Sequence, residues 1–321
     1  MSAPSPAASP LRDTTPTDIE HALTSLTVRP RRHLGTIIGG TVLALLAAMF
    51  LVDVATNPAF GWSTVADYLF SPQILEGVWL TIVLTVGSMA AGIALGIVLA
   101  IMRVSTNPVF GTVSRAYIWF FRGTPLLVQL IFWYNIAALY PVIALGLPLG
   151  GPTVVLGSAN VLITPMIAAL LGLSLNEAAY MAEIIRSGIA SVDPGQLDAG
   201  RAIGMTRFMM MRRVILPQAM RIVIPPTGNQ VISMLKGTSL VSVLAISDLL
   251  YSAQTIYALN YQTIPLLLVS CAWYLAMTTA LTAVQSRLEA RYGRGFQPRR
   301  TNRRKAATTT GTATVSTTKE N

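Results

Sequence analysis

Residues 193–217 read DPGQLDAGRAIGMTRFMMMRRVILP, a polar, arginine-rich stretch set between two long apolar segments. Asp193-Pro194 is a helix start. Asp caps a first turn well, and Pro suits the first helical position, where its missing N–H costs nothing. A short helix is expected from there toward Ile203. Gly204 then supplies a backbone turn that a residue with a side chain resists. Thr206 can cap a second short helix through Arg213, which Pro217 stops or kinks. The expected product is a helix, a glycine elbow and a helix, held just outside the apolar segments. Met209, Met210 and Met211 would offer adaptable apolar contacts to a groove on a partner. An ordinary amphipathic surface loop is the plainer reading of the same periodicity.

The apolar segments around this stretch set the class of the chain. Of its 321 residues, 53% are hydrophobic and only 11% charged, with a mean hydropathy of +0.58. A soluble domain would carry roughly a quarter charged residues. The expected fold is therefore an all-α membrane protein. Six apolar stretches are long enough to cross about 30 Å of hydrocarbon, which takes roughly 20 helical residues. They are residues 35–54, 74–102, 117–139, 162–184, 222–250 and 263–284. The fifth is the least regular: Pro225-Pro226 opens it and Lys236-Gly237 interrupts it, so a broken helix or two short ones are expected. Cys271 stands alone, and His21 and His33 both precede the first span. No disulfide frame follows, and a metal site built from His and Cys is not expected.

Basic residues orient the spans. None lies between His33 and Met102, between Gly123 and Ile185, or between Gly237 and Ser286. Arg29, Arg31 and Arg32 precede the first span, and Arg103, Arg115 and Arg122 fill the second connection. Arg186, Arg201, Arg207, Arg212, Arg213 and Arg221 fill the fourth, and Arg287 onward follows the last. All fall on one side if both termini are cytoplasmic, with Lys236 as the exception. Eight of the 23 Lys and Arg lie between Arg287 and Lys305. That tail reads as lipid-facing rather than as a nucleic-acid arm. Residues 1–33 and the Thr-rich end read as disordered, and the start has no apolar stretch for a cleavable signal. The outer connections are short: 57–72 carries interfacial Trp62, Tyr68 and Phe70, and 141–164 is rich in Gly and Pro with no fold of its own expected.

Four strings then carry a resemblance. Asp198-Ala199-Gly200, Gly204, and Val214-Ile215-Leu216-Pro217 have the spacing of the signature cytoplasmic loop of permease subunits in ABC importers. That pattern is Glu-Ala-Ala, three residues, Gly, nine residues, Ile, any residue, Leu-Pro. Asp198, Gly200 and Val214 are mild departures from it. Residues 121–129 (FRGTPLLVQ), 177–188 (EAAYMAEIIRSG) and 236–242 (KGTSLVS) resemble segments of the branch that imports polar amino acids, with Gly237 where Asp is usual. The resemblance covers about 74–292, with coupling loop 193–217. Residues 34–55 form a span additional to the five common in the family, 56–73 an external interfacial segment, and 293–321 a basic then Thr-rich tail.

The resemblance implies a type I ABC importer permease in a bacterial cytoplasmic (inner) membrane. It implies a dimer with a second copy or a paralogue, two separate ATPase subunits and an extracytoplasmic solute-binding protein. No Gly-x-x-x-x-Gly-Lys-Ser/Thr phosphate loop occurs here, so ATP-Mg would sit on the partner and this chain would bind no cofactor and catalyse nothing. Coupling would run through Asp198, Ala199, Gly200, Gly204, Val214, Leu216 and Pro217.

Charged groups at membrane depth are costly and often functional. Glu177, Glu183 and Lys236 are the candidates for a solute path, with Thr238 and Ser239 beside the helix break. Glu183 reads better as a structural partner, while for Glu177 the path and structural readings stand level. Ser88, Gly92, Gly96 and Ala100, at four-residue spacing, make a flat seam for a neighbouring helix. An ion-coupled carrier is the second reading and a membrane enzyme the third. Neither explains the arginine-rich loop, and no paired carboxylate, His cluster or nucleophile motif supports an enzyme.

Overall fold

A computed structural model describes residues 34–146 and 153–292. The two tails read as disordered lie outside the described residues, as does the tip of the outer loop. The chain falls into two compact units that divide after Phe60.

The first unit is helix α1 (Leu34–Thr56) and a following 3-10 turn, Pro58–Phe60. Its 23 residues span roughly 34 Å at about 1.5 Å per residue. Apolar side chains point outward all round, Leu43 and Met49 among them. Such a helix suits lipid rather than water. Thr41 and Thr56 return their hydroxyls to Ile37 O and Val52 O, so neither leaves a polar group unpaired.

The second unit is built on helices α2 (Trp62–Leu69), α3 (Pro72–Val104), α4 (Pro108–Gly123) and α5 (Leu126–Tyr134). A hairpin of β1 (Val142–Gly146) and β2 (Thr153–Ser158) follows, then α6 (Ala159–Leu162) and α7 (Pro165–Ala190). The 193–217 element holds α8 (Pro194–Ala202) and α9 (Arg207–Met210). A π turn, Met211–Ile215, leads into α10 (Leu216–Gly237). A 3-10 stretch, Thr238–Leu244, then precedes α11 (Leu249–Asn260) and α12 (Thr263–Tyr292).

The seam along α3 packs as its spacing suggests. A methyl group added at Gly92 would lie 2.9 Å from Cβ and Cγ of Glu177, and one at Gly96 would lie 2.7 Å from Cβ of Met181. The register advances in the same sense on both helices, so α3 and α7 run parallel. Leu84, Leu130, Leu173, Met181 and Val241 close the core around them. In lipid that packing gains dispersion contact rather than escape from water, which is why small residues sit at the seam.

Among the described residues, helices α1, α3, α7 and α12 are each long and apolar enough to cross a membrane, and the bent pair Arg207–Leu244 with Leu249–Asn260 together has the length and composition of a fifth span. The bent pair is the broken fifth stretch, but Pro225 and Pro226 lie inside α10 rather than opening it. The third expected span, 117–139, is not one helix. Pro125 has no N–H to donate and holds Thr124 extended at φ −112° and ψ 145°, so α4 ends and α5 starts there. The exposed carbonyls are recovered by side chains. Gln129 Nε2 donates to Phe121 O (3.0 Å) and Thr124 O (3.2 Å), and Asn176 Nδ2 donates to Phe121 O (2.9 Å). Residues 141–164 also differ from expectation. β1 and β2 pair antiparallel, with Val142 opposite Ser158 and Gly146 opposite Thr153.

Candidate functional site: a helix–elbow–helix joined to a broken span

The 193–217 stretch folds from its own caps. Asp193 Oδ1 accepts from Gly195 N at 2.7 Å with Pro194 in the first turn, so α8 starts where the dipeptide requires. It ends on Gly204, whose φ of 78° lies in the left-handed region. Met205 N donates to Gly200 O and Gly204 N to Arg201 O, both at 3.0 Å. These two bonds form a Schellman cap, and glycine is the residue that adopts its backbone without strain. Thr206 then caps α9 by accepting from Met209 N at 3.2 Å.

Contacts within the element set its shape. Gly200 is buried, and a methyl group there would lie 3.1 Å from Met210 Cε. The departure from alanine thus makes room for Met210. Asp198 pairs with Arg201 at 2.9 Å on an exposed surface, a bond worth little. Gln218 of α10 donates to Gln196 of α8 and also to Val214 O at 3.0 Å, closing the element.

The apolar contacts differ from the three methionines expected. Met210 faces inward, and Met209 and Met211 sit at the margin of exposure. Ile203 and Phe208 are the outward groups, 79% and 74% exposed. Ile203 directly precedes the glycine elbow and Phe208 lies two residues past the Thr206 cap, positions that periodicity overlooks. Ala199, Leu216 and Pro217 are also exposed, and Val214 is half-buried. Pro217 does not stop the second helix. The winding widens to a π turn over Met211–Ile215 and continues into α10. The helical path from Arg207 therefore reaches Leu244 inside the broken span.

The path candidates separate into different settings. Glu177 is 5% exposed in the middle of α7. Its stem lies against Gly92, Gln230 of α10 meets its carboxyl, and Oε1 has no hydrogen-bond partner among the described residues. Glu183 bonds Arg186 Nε at 2.9 Å, with Arg122 and Arg103 nearby. Arg122 stands 5.2 Å from the Tyr180 ring centroid, so Glu183 belongs to a cationic boundary layer. Lys236 is exposed in the last turn of α10. Ser239 donates to Lys236 O, and the fully buried Thr238 donates to Leu235 O, both at 2.7 Å. Lys236 forms no ion pair with Glu177 or Glu183 among the described residues. A separate cavity of about 460 Å³ opens near the hairpin, lined by Tyr134, Asn135, Asn160, Ile163 and Pro165 among others.

Long apolar helices, a bent pair and a capped polar elbow define a multi-pass helical membrane protein. Residues 92–294 match the family model described as "Binding-protein-dependent transport system inner membrane component", and the chain belongs to that family. It is 45% identical over 281 residues to the arginine transport system permease protein ArgU of Corynebacterium glutamicum, covering 87% of each chain. It is 37% identical over 237 residues to the L-cystine transport system permease protein TcyB of Bacillus subtilis, covering 74% of this chain and 93% of that one. Among solved structures, a chain of an amino acid ABC transporter with histidines is 35% identical, with a TM-score of 0.59 over 69% of this chain and 95% of that one. A chain of the MetNI methionine ABC transporter is 16% identical at a TM-score of 0.54, a likeness of fold alone.

Proposed function

We propose that this chain is the membrane permease of an ATP-driven importer of polar amino acids in a bacterial cytoplasmic membrane. It pairs with a second copy or a paralogue, and two ATPase subunits hold ATP-Mg on the cytoplasmic side. An extracytoplasmic binding protein delivers the solute. The permeases of arginine and cystine transport among its relatives support an amino acid solute.

The observation that carries the reading is the capped elbow at Gly204 presenting Ile203 and Phe208 outward, on a chain path helical from Arg207 to Leu244. An apolar pair on a rigid element fits a groove on a partner. Asp198, Ala199, Gly200 and Gly204 shape the docking face, and Val214, Leu216 and Pro217 join it to the span. Closure of the ATPase pair would push the element, and the helix would carry that push into the membrane as rigid-body tilting. Glu177 lines the solute path in this reading. Glu183 holds the inner boundary in this reading, with Lys236, Thr238 and Ser239 where α10 gives way to the 3-10 stretch.

Phe208→Asp tests the docking face. Placing an uncompensated charge in a closed apolar contact costs several kcal/mol, so co-purification with the partner ATPase should fall at least about tenfold. Membrane insertion and yield should hold. Undiminished capture of the ATPase would contradict the docking role.

A further inference from the structure

Asp248 is fully enclosed, with 0% of its surface exposed, and nothing in the import scheme above uses it. It stands at the corner of the broken span, where the Arg207–Leu244 helix gives way to α11 at a bend of 45°. The corner is conformationally demanding: Ala245 closes the 3-10 stretch at φ 56° and ψ 32°, in the left-handed region that alanine rarely adopts. Its neighbours must hold it there.

They do so from three directions. The Asp248 carboxylate caps α11, with Oδ1 accepting from Tyr251 N at 3.0 Å and Oδ2 from Leu250 N at 3.3 Å. Tyr274 of α12 donates its hydroxyl to Oδ2 at 3.4 Å. Leu249 N donates to Thr81 Oγ1 of α3 at 3.1 Å. Gly77, one turn earlier on α3, lies against the corner's backbone: a methyl group there would come within 2.9 Å of Asp248 O and Leu249 Cα.

A lever needs an arm and a fixed pivot. The Arg207–Leu244 arm is roughly 57 Å long at about 1.5 Å per residue, and its far end is the elbow. We propose that Asp248 is a positioning residue that fixes the Ala245–Asp248 corner on α3 and α12 as the fulcrum of this arm. A push at the elbow then becomes a tilt about the corner. Without the pin, the freed backbone at the corner absorbs the push by local unwinding. A carboxylate enclosed within a span is costly, and one that satisfies backbone N–H groups at a break offsets that cost. The proposal rests on the importer reading, because the arm's far end is its docking element.

The test is solute taken up per ATP hydrolysed by the full transporter in liposomes, with its ATPase and loaded binding protein. Asp248→Ala removes the cap and the Tyr274 link. It should leave ATP hydrolysis responsive to binding protein while uptake per ATP falls about fivefold or more. Asp248→Asn, an equally good cap, should stay within about twofold of wild type. A wild-type ratio in Asp248→Ala would overturn the fulcrum. If that variant fails to assemble, Thr81→Val and Tyr274→Phe decide, since each removes one link and leaves the cap. A lowered ratio at wild-type melting temperature supports the fulcrum, and an unchanged ratio in both overturns it. A wild-type transporter with no ATP-driven uptake would overturn the importer reading and the fulcrum together.

Discussion

Glu177 shows how a single residue can be placed in sequence and still need the fold to be understood. An acid in an apolar stretch is visible at once. Its setting is not, because that depends on Gly92 facing it across α3 and leaving room for its stem. With Oε1 unpartnered among the described residues and only 5% of the residue exposed, it holds a hydrogen-bonding capacity that a solute amine could use. Glu177→Gln keeps the volume and removes the carboxyl group that a solute amine would pair with. A charge-assisted hydrogen bond is worth about 1.5–3 kcal/mol, so amino acid uptake should fall about tenfold or more while assembly with the ATPase is retained. Uptake at the wild-type rate would make Glu177 a packing residue. Gly204 was legible from its neighbours alone, because a helix cap with positive φ asks for glycine. Asp248 was not, since its role depends on Thr81 and Tyr274, far away in sequence.

At the scale of elements, the legible features are those with local causes. Caps at Asp193 and Thr206 fix where α8 and α9 start, whereas Gly237 and the hydroxyl residues after it, expected to interrupt the span, mark only a change from α to 3-10 winding, and the bend itself lies at Ala245–Asp248. The break at Thr124-Pro125 was hidden inside a stretch whose hydropathy suits one continuous span. Proline gave the warning, but only the fold shows Gln129 and Asn176 satisfying the Phe121 and Thr124 carbonyls. The hairpin was missed for another reason: its strands pair across Gly- and Pro-rich sequence with no charge alternation to mark a face. The α4–α5 break makes its own prediction. Gln129→Leu leaves Thr124 O and part of the Phe121 O demand unmet, which should destabilise the chain by about 1–2 kcal/mol. A thermal melt in detergent reads this directly. An unchanged melting temperature would mean the network contributes nothing to holding the break.

At the scale of the whole molecule, hydropathy carried most of the architecture. Apolar length marked the long helices that could cross a membrane, and the cationic connections are the ground for expecting one cytoplasmic face. Tertiary contacts supplied the rest, notably the parallel α3–α7 pair and the helix from elbow to corner. That arrangement supports the proposed mechanical role, in which movement at the elbow becomes movement among spans while a partner subunit hydrolyses ATP. The most direct test is ATP hydrolysis by the chain reconstituted in lipid, alone and with its partner ATPase, with and without amino acid-loaded binding protein. The account predicts activity only in the full assembly, rising when loaded binding protein is added. Failure to associate with any ATPase, together with uptake driven by an ion gradient alone, would contradict it.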